Sequence, residues 1–321
     1  MKIDVSKNGL DFSPLHKRIQ WYVDENIIPF ANTLVMQGDK VVDVHFYGAP
    51  GNTTQQTVAE DTIFRMHSST KIICSIAAML LWEEGRFSLD DPLEKYIPAF
   101  ANMRVLKADA KDIDDTVPAE GPIRIRHILS HTAGLSYGFI EPTAVIDQAY
   151  SKAGINPMMP GSTLTLETLC DALGKMPLCY QPGAFWRYSF ATDVTARLVE
   201  VVSGKPFDAF LKERIFKPLG MIDTDFFVPE EKLGRFSTMF LPADPLDPMS
   251  ACAGPMDAPA TTANGKRPAF LSGGGGLMST LVDYLALSKM IVNNGKHNGK
   301  TLIKPETLAL MRTNQCAQGW W

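Results

Sequence analysis

The stretch HSSTKIICSIAAMLLWEEG (67–85) decides how this chain is read. It opens with Ser68, Ser69, Thr70 and Lys71, then runs on as an apolar segment of helical length that ends at Gly85. Ile72, Ile73, Ile76, Ala77, Ala78, Leu80 and Leu81 fall on every side of such a helix, so it is expected in an interior. If the helix starts near Ser68, Ser68 and Lys71 share a face about one turn apart. The amide hydrogens and positive dipole end of a helix start favour negative charge, and so favour a serine oxygen that becomes anionic. A lysine one turn on can accept the hydroxyl proton where burial disfavours a charged ammonium. A capping serine with a solvated lysine has the same spacing, and S-x-x-K arises by chance about once in a chain of this length. Context favours chemistry: this S-x-x-K is not repeated in the chain, and it opens an apolar helix.

Working outward, PLHKRIQWYVDENII (14–28) follows Ser13, an expected N-cap, with proline at the first helical position. Two β-rich runs, 33–36 and 41–48, flank QGDK and predict a hairpin. Gly85 is the expected C-cap of the serine–lysine helix, and Pro92 prevents its continuation. From about 90 to 265, proline, methionine and glycine turns separate short helical patterns. FLSGGGGLMSTLVDYLALSKMIVNNG (270–295) then leads through a glycine turn into a helix capped by Ser279 or Thr280. The expected organisation is an α/β domain (1–89 and 266–321) interrupted by a mostly helical one (90–265).

Composition bounds the function. The chain has 321 residues with 45% hydrophobic and 21% charged, ordinary for a globular enzyme. A net charge of -4 provides no basic field for nucleic acid. Cys74, Cys170, Cys179, Cys252 and Cys316 are odd in number and lack CxxC spacing, which predicts reduced thiols in a cytosolic protein. MKIDVSKNGLDF has no apolar signal region and no stretch reaches 18 apolar residues, so a cytoplasmic location and no membrane contact are expected.

A second signal is PGAFWRYSFATDVTARLVEVVSG (182–204), where Tyr188 follows a proline–glycine turn and precedes a helix. A phenol beside a lysine can share its proton and offers a further acid/base group; a half-buried tyrosine at a domain seam is the plainer alternative. With HSSTK, LEKYIPAF, IRIRHILSHTAGLSYGF, PGAFWRYSFATD, KPLGMIDTDFF and LSGGGGLMST in this order, the chain resembles the serine β-lactamase-like superfamily. The likeness is strongest to family VIII carboxylesterases, beside class C β-lactamases and D-Ala-D-Ala peptidases. It implies an antiparallel sheet flanked by helices, with an inserted helical domain. It also implies Ser68 as nucleophile, Lys71 as its base, Tyr188 as partner in proton transfer, and an acyl-enzyme released by water or another alcohol.

The sequence departs from the family twice. Tyr188-Ser189-Phe190 carries phenylalanine where β-lactamases have asparagine, so Phe190 is the expected substrate-facing difference and simple esters are favoured over lactams and peptides. The third family motif (K-T-G, H-x-G or W-G-G) is not found: GKTLI (299–303) has Leu302 in place of its glycine, and SGGGGL (272–277) reads as a turn. QCAQGWW (315–321) comes where relatives continue through central strands, so the C-terminal part of the sheet is expected to be missing, with poor stability or complementation by another chain. His127 and His131 have a metal-compatible spacing but no evident third ligand; capping and packing are expected. His67 diverges from Ser68, and Met158, Met159 and Met176 read as core filler. The expectation is a carboxylesterase for small short-acyl esters that needs no cofactor or metal, with homo-oligomers possible. The alternatives are a β-lactamase, peptidase or acyltransferase of the same fold, or a non-catalytic binding module.

Overall fold

A computed structural model describes residues 3–51, 57–157 and 162–316. Its helices are α1 (Ser13–Asp24), α2 (Thr70–Glu83), α3 (Ile125–Leu129), α4 (Val145–Lys152), α5 (Leu166–Leu173), α6 (Ala191–Ser203), α7 (Phe207–Leu211), α8 (Lys217–Leu219), α9 (Leu281–Val292) and α10 (Pro305–Met311). Its strands are β1 (Phe30–Gln37), β2 (Lys40–Gly48), β3 (Phe64–Arg65), β4 (Arg104–Leu106), β5 (Thr116–Pro118), β6 (Met239–Pro242), β7 (Cys252–Asp257), β8 (Met278–Ser279), β9 (Lys296–His297) and β10 (Lys300–Thr301). They pair antiparallel, two by two, as β1–β2, β3–β8, β4–β5, β6–β7 and β9–β10. Mixed helices and antiparallel strands were expected, the strands as an antiparallel sheet lacking its C-terminal part; among the described residues they form separate two-stranded ladders. Irregular register at Val35/Met36 and within β6–β7 interrupts the longer ladders, and β3–β8 and β9–β10 are only two residues long per strand. Residues 317–321 of the expected truncation signal, and Met158 and Met159, lie outside the described residues.

The chain divides into two compact units. The first holds Met1–Met66, Phe216–Pro268 and Leu277–Leu302. Its β1–β2 hairpin turns at Gly38-Asp39, where Gly38 has φ 61, the positive value that a tight two-residue hairpin turn requires. α1 is tied to β2 by His16 Nε2, 2.9 Å from an Asp43 carboxylate oxygen. Ser13 lies inside α1 instead of capping it: Asp11, two residues before, accepts from the Ser13 N–H at 2.9 Å and the Ser13 hydroxyl at 3.0 Å. Ile63, Val228, Phe236 and Met278 form a buried cluster around β3–β8. Thr280 caps α9, accepting from the Asp283 N–H at 3.2 Å.

The second unit holds His67–Ile215, Ala269–Gly276 and Ile303–Trp321. Here α2 packs on α6, with the Cys74 thiol donating to the Thr192 carbonyl at 3.4 Å. Ile73, Ile76 and Leu81 are fully buried, each contributing about 1.5–3 kcal/mol. Ile72, expected inside with them, is 46% exposed: its side of the first turn of α2 opens to solvent, while Thr70 at the helix start is buried. Past the C-terminus, the Gly85 N–H bonds the Trp82 carbonyl and the Arg86 N–H bonds the Leu81 carbonyl, with Gly85 at φ 68. That is the paired left-handed closure expected of a glycine at this position. Among the described residues, no helix is long and apolar enough to cross a membrane.

Candidate active site

His67–Ser69 form a single 3-10 turn that feeds directly into α2, with His67 at φ 43. A β-carbon residue at positive φ is strained, and such strain collects where a fold must aim a side chain. The turn leaves Ser68 exposed at the head of a buried helix. Ser68 Oγ lies 2.6 Å from Tyr188 Oη and 3.4 Å from Lys71 Nζ. Lys71 Nζ also donates to the Gly274 carbonyl at 2.5 Å and stands 4.5 Å from the centre of the Tyr188 ring. The hydroxyl, amine and phenol singled out from the sequence are therefore brought together, all within the second unit.

Tyr188 is held by stitching between residues 183–190 and 131–136. The Gly183 N–H bonds the Thr132 carbonyl, the Arg187 N–H the His131 carbonyl, and the Phe190 N–H the Ser136 carbonyl. Arg187 adds side-chain bonds to Ser136 Oγ at 3.0 Å and Glu141 at 3.0 Å, and sits 3.5 Å from the buried Asp147 carboxylate. Phe190 is 4% exposed. Its ring lies 4.6 Å from that of Tyr137 and 6.4 Å from that of Tyr150, so it backs the wall of the site rather than opening into it. Tyr137 is the ring between: it stands 5.2 Å from Tyr188, and Lys71 Nζ is 5.5 Å from its centre. Phe139 and Trp186 extend the aromatic surface outward, 58% and 51% exposed.

SGGGGL makes the turn expected of it, with the Gly276 N–H bonding the Ser272 carbonyl at 3.0 Å. The turn also enters the site, through the Gly274 carbonyl on Lys71. It runs so close to α2 and α6 that a Cβ on Gly273 would meet Thr192 O at 2.7 Å and Cys74 Sγ at 2.8 Å. Asp193, near the start of α6, accepts from Ser272 Oγ at 2.7 Å and from the Gly274 N–H at 3.0 Å. Burial pushes its pKa up, while those two bonds and the Lys71 charge pull it down. Burial likewise raises the Tyr137 phenol and the Cys74 thiol. Neither is a ready proton donor or nucleophile at neutral pH.

The two histidines part company. His127 Nδ1 accepts the Arg124 N–H at 3.1 Å and caps α3. His131 lies 5.1 Å from the Tyr188 ring, its ring nitrogens 3.2 Å from Ser189 Oγ and 3.3 Å from Thr192 Oγ1. Burial first, then the Lys71 charge, lowers His131 to about 4, so it is neutral at physiological pH. Among the described residues, no cluster of three or more His, Cys, Asp or Glu is placed to hold a metal ion. Sequence reading gave no role to Tyr137, Asp193 or Gly274. All three lie inside the quoted motifs, and the run of four glycines was the available signal of close backbone approach.

A serine at a helix head, with an amine and a phenol on its hydroxyl, defines a serine hydrolase of the β-lactamase fold. The Beta-lactamase family model matches residues 15–321, and the chain belongs to that family. Protein Rv1367c of Mycobacterium tuberculosis is 34% identical over 91% of this chain and 69% of its own length. Esterase EstB of Burkholderia gladioli is 28% identical over 96% of this chain and 76% of its own length. Among solved structures, EstCE1, described as a hydrolase with promiscuous acyltransferase activity, superposes with a TM-score of 0.76 at 27% identity. That match covers 93% of this chain and 76% of EstCE1.

Proposed function

We propose that this protein is a serine carboxylesterase for small, short-acyl esters, working through an acyl-enzyme on Ser68. The convergence of Ser68, Lys71 and Tyr188 carries the proposal. Ser68 Oγ attacks the ester carbonyl carbon while its proton passes to Lys71. The carbonyl π electrons move onto oxygen, where the helix start at Ser68 favours negative charge. Collapse of this intermediate breaks the bond to the alcohol oxygen. The departing alkoxide takes a proton from Tyr188, which recovers one from Lys71. Water then repeats the sequence on the acyl-enzyme and releases the acid.

Ester rather than lactam or peptide specificity is supported by what position 190 lacks: Phe190, buried behind Tyr137, presents no group that could hydrogen-bond a substrate amide, and sites built to make such a bond discriminate by orders of magnitude. The likeness to an esterase points the same way. Acyl transfer to an alcohol is a second reading, favoured by the likeness to EstCE1. It predicts that an added alcohol outcompetes water for the acyl group.

The test is covalent. A fluorophosphonate should add one probe mass to folded protein, mapped to Ser68, and none to Ser68→Ala. Turnover of p-nitrophenyl butyrate should fall at least about ten-thousand-fold in that variant, and the octanoate ester should be the poorer substrate of the wild type. Folded wild type that takes no probe would mark a non-catalytic member of the family.

A further inference from the structure

We propose that Asp193 is a positioning residue for the reaction: it pins the glycine turn 272–276 so that the Gly274 carbonyl holds the Lys71 amine beside Ser68. This rests on the reading of Lys71 as base. Asp193 is 1% exposed, and a buried carboxylate is costly unless hydrogen-bonded. Its Oδ1 takes the Ser272 hydroxyl at 2.7 Å and the Gly274 N–H at 3.0 Å, donors 79 and 81 residues away along the chain. A carboxylate serving only the dipole of its own helix start would have no need of two donors from so distant a segment.

The chain of contacts is short and continuous. Asp193 fixes residue 274 at its N–H, and the carbonyl of the same residue accepts from Lys71 Nζ at 2.5 Å. Lys71 Nζ is then 3.4 Å from Ser68 Oγ, at the edge of hydrogen-bond reach, so a small shift of the amine decides whether proton transfer can occur. The glycine is required by the closeness of the anchor. A Cβ at position 274 would lie 2.7 Å from Asp193 Oδ2 and 2.6 Å from Tyr137 Oη. The glycine run thus gains a function: it lets backbone come close enough to a buried acid to be locked.

The experiment uses the full chain carrying Asp193→Ala, Asp193→Asn, Lys71→Ala and the Asp193→Ala/Lys71→Ala pair. Folding is checked by thermal unfolding. The rate of Ser68 modification by a fluorophosphonate is read by intact mass, and kcat and KM are measured for p-nitrophenyl butyrate. Asp193→Ala should lower kcat about a hundredfold and leave KM within about threefold, as expected for a misplaced catalytic group. Asp193→Asn keeps the shape and the acceptor oxygen and should recover to within about tenfold of wild type. The double variant should be modified no more slowly than Lys71→Ala alone, because Asp193 acts through Lys71. Wild-type kcat in folded Asp193→Ala, losses that multiply in the double variant, or Asn no better than Ala would each overturn the proposal. Undiminished modification of Lys71→Ala would instead overturn the reading of Lys71 as base, and the proposal with it. Should Asp193→Ala fail to fold, Ser272→Ala removes one anchor without touching charge. It should give a smaller kcat loss with the same non-additivity; additive losses there count against the proposal.

Discussion

Gly274 gathers the constraints of the site into one residue. Its N–H meets Asp193, its carbonyl meets Lys71, and its missing side chain leaves room for Tyr137. Gly274→Ala would place a methyl 2.6 Å from Tyr137 Oη, so the turn or the ring must move. Overpacking of this kind costs about 1–3 kcal/mol, and the displaced carbonyl should lower esterase kcat about a hundredfold. Gly275→Ala is the control, since the nearest atom to its Cβ, in the His67 backbone, is at an ordinary 3.6 Å. Thermal melts and turnover of the two variants check this; equal behaviour would remove the special standing of position 274. The contrast explains what could be read at this scale. Ser68, Lys71 and Tyr188 stand in patterns whose chemistry requires those residue types. Asp193 does not: its partners lie some eighty residues away, and an aspartate near a helix start is satisfied locally in most chains. Phe190 was legible as a lost hydrogen bond, but its burial behind Tyr137 is a packing fact that no spacing announces.

Helix α2 shows how far local signals carry at the scale of an element. Its end is written in a single residue. Gly85 adopts φ 68, and nothing lies within 4 Å of where its Cβ would be, so a substitution there feels backbone strain alone. Gly85→Ala should therefore cost about 1 kcal/mol, and Gly85→Asn less, because asparagine tolerates the left-handed region. Urea unfolding measures both, and an alanine as stable as glycine would contradict the strain argument. The same kind of signal located the β1–β2 hairpin and narrowed the cap of α9 to Ser279 or Thr280, where turn and cap chemistry act within a few residues. Local chemistry was ambiguous at α1, where Ser13 lies inside the helix and donates to Asp11 instead of capping. It was silent about β3–β8, whose two strands lie more than two hundred residues apart in sequence and pair for only two residues each. Lateral strand pairing depends on which segments meet, and two residues leave no alternation to read.

For the molecule as a whole, acid sensitivity follows from histidines buried in neutral form. His131 sits beside Tyr188 with a pKa of about 4, against 6.5 for the ordinary side chain, and burial lowers His127 to about 4 as well. Between those values the unfolded chain binds protons that the folded chain refuses, so the stabilisation is complete above about pH 6.5 and is lost as pH falls towards 4. Asp193 and Asp283 act in the opposite sense: burial raises both, so they favour the folded state more as the medium becomes acidic and offset part of the loss. For His131 alone, the loss by pH 5 is at most about 2 kcal/mol. His131→Asn isolates it, because asparagine accepts the positive φ of 57 at that position and carries no titrating ring. Denaturant unfolding at pH 7.5, 6 and 5 should show wild type losing stability more steeply than His131→Asn, by about one proton's worth of slope. Parallel curves for the two proteins would mean that His131 is protonated freely in the folded state, and that the ring beside Tyr188 is wetter than its packing indicates.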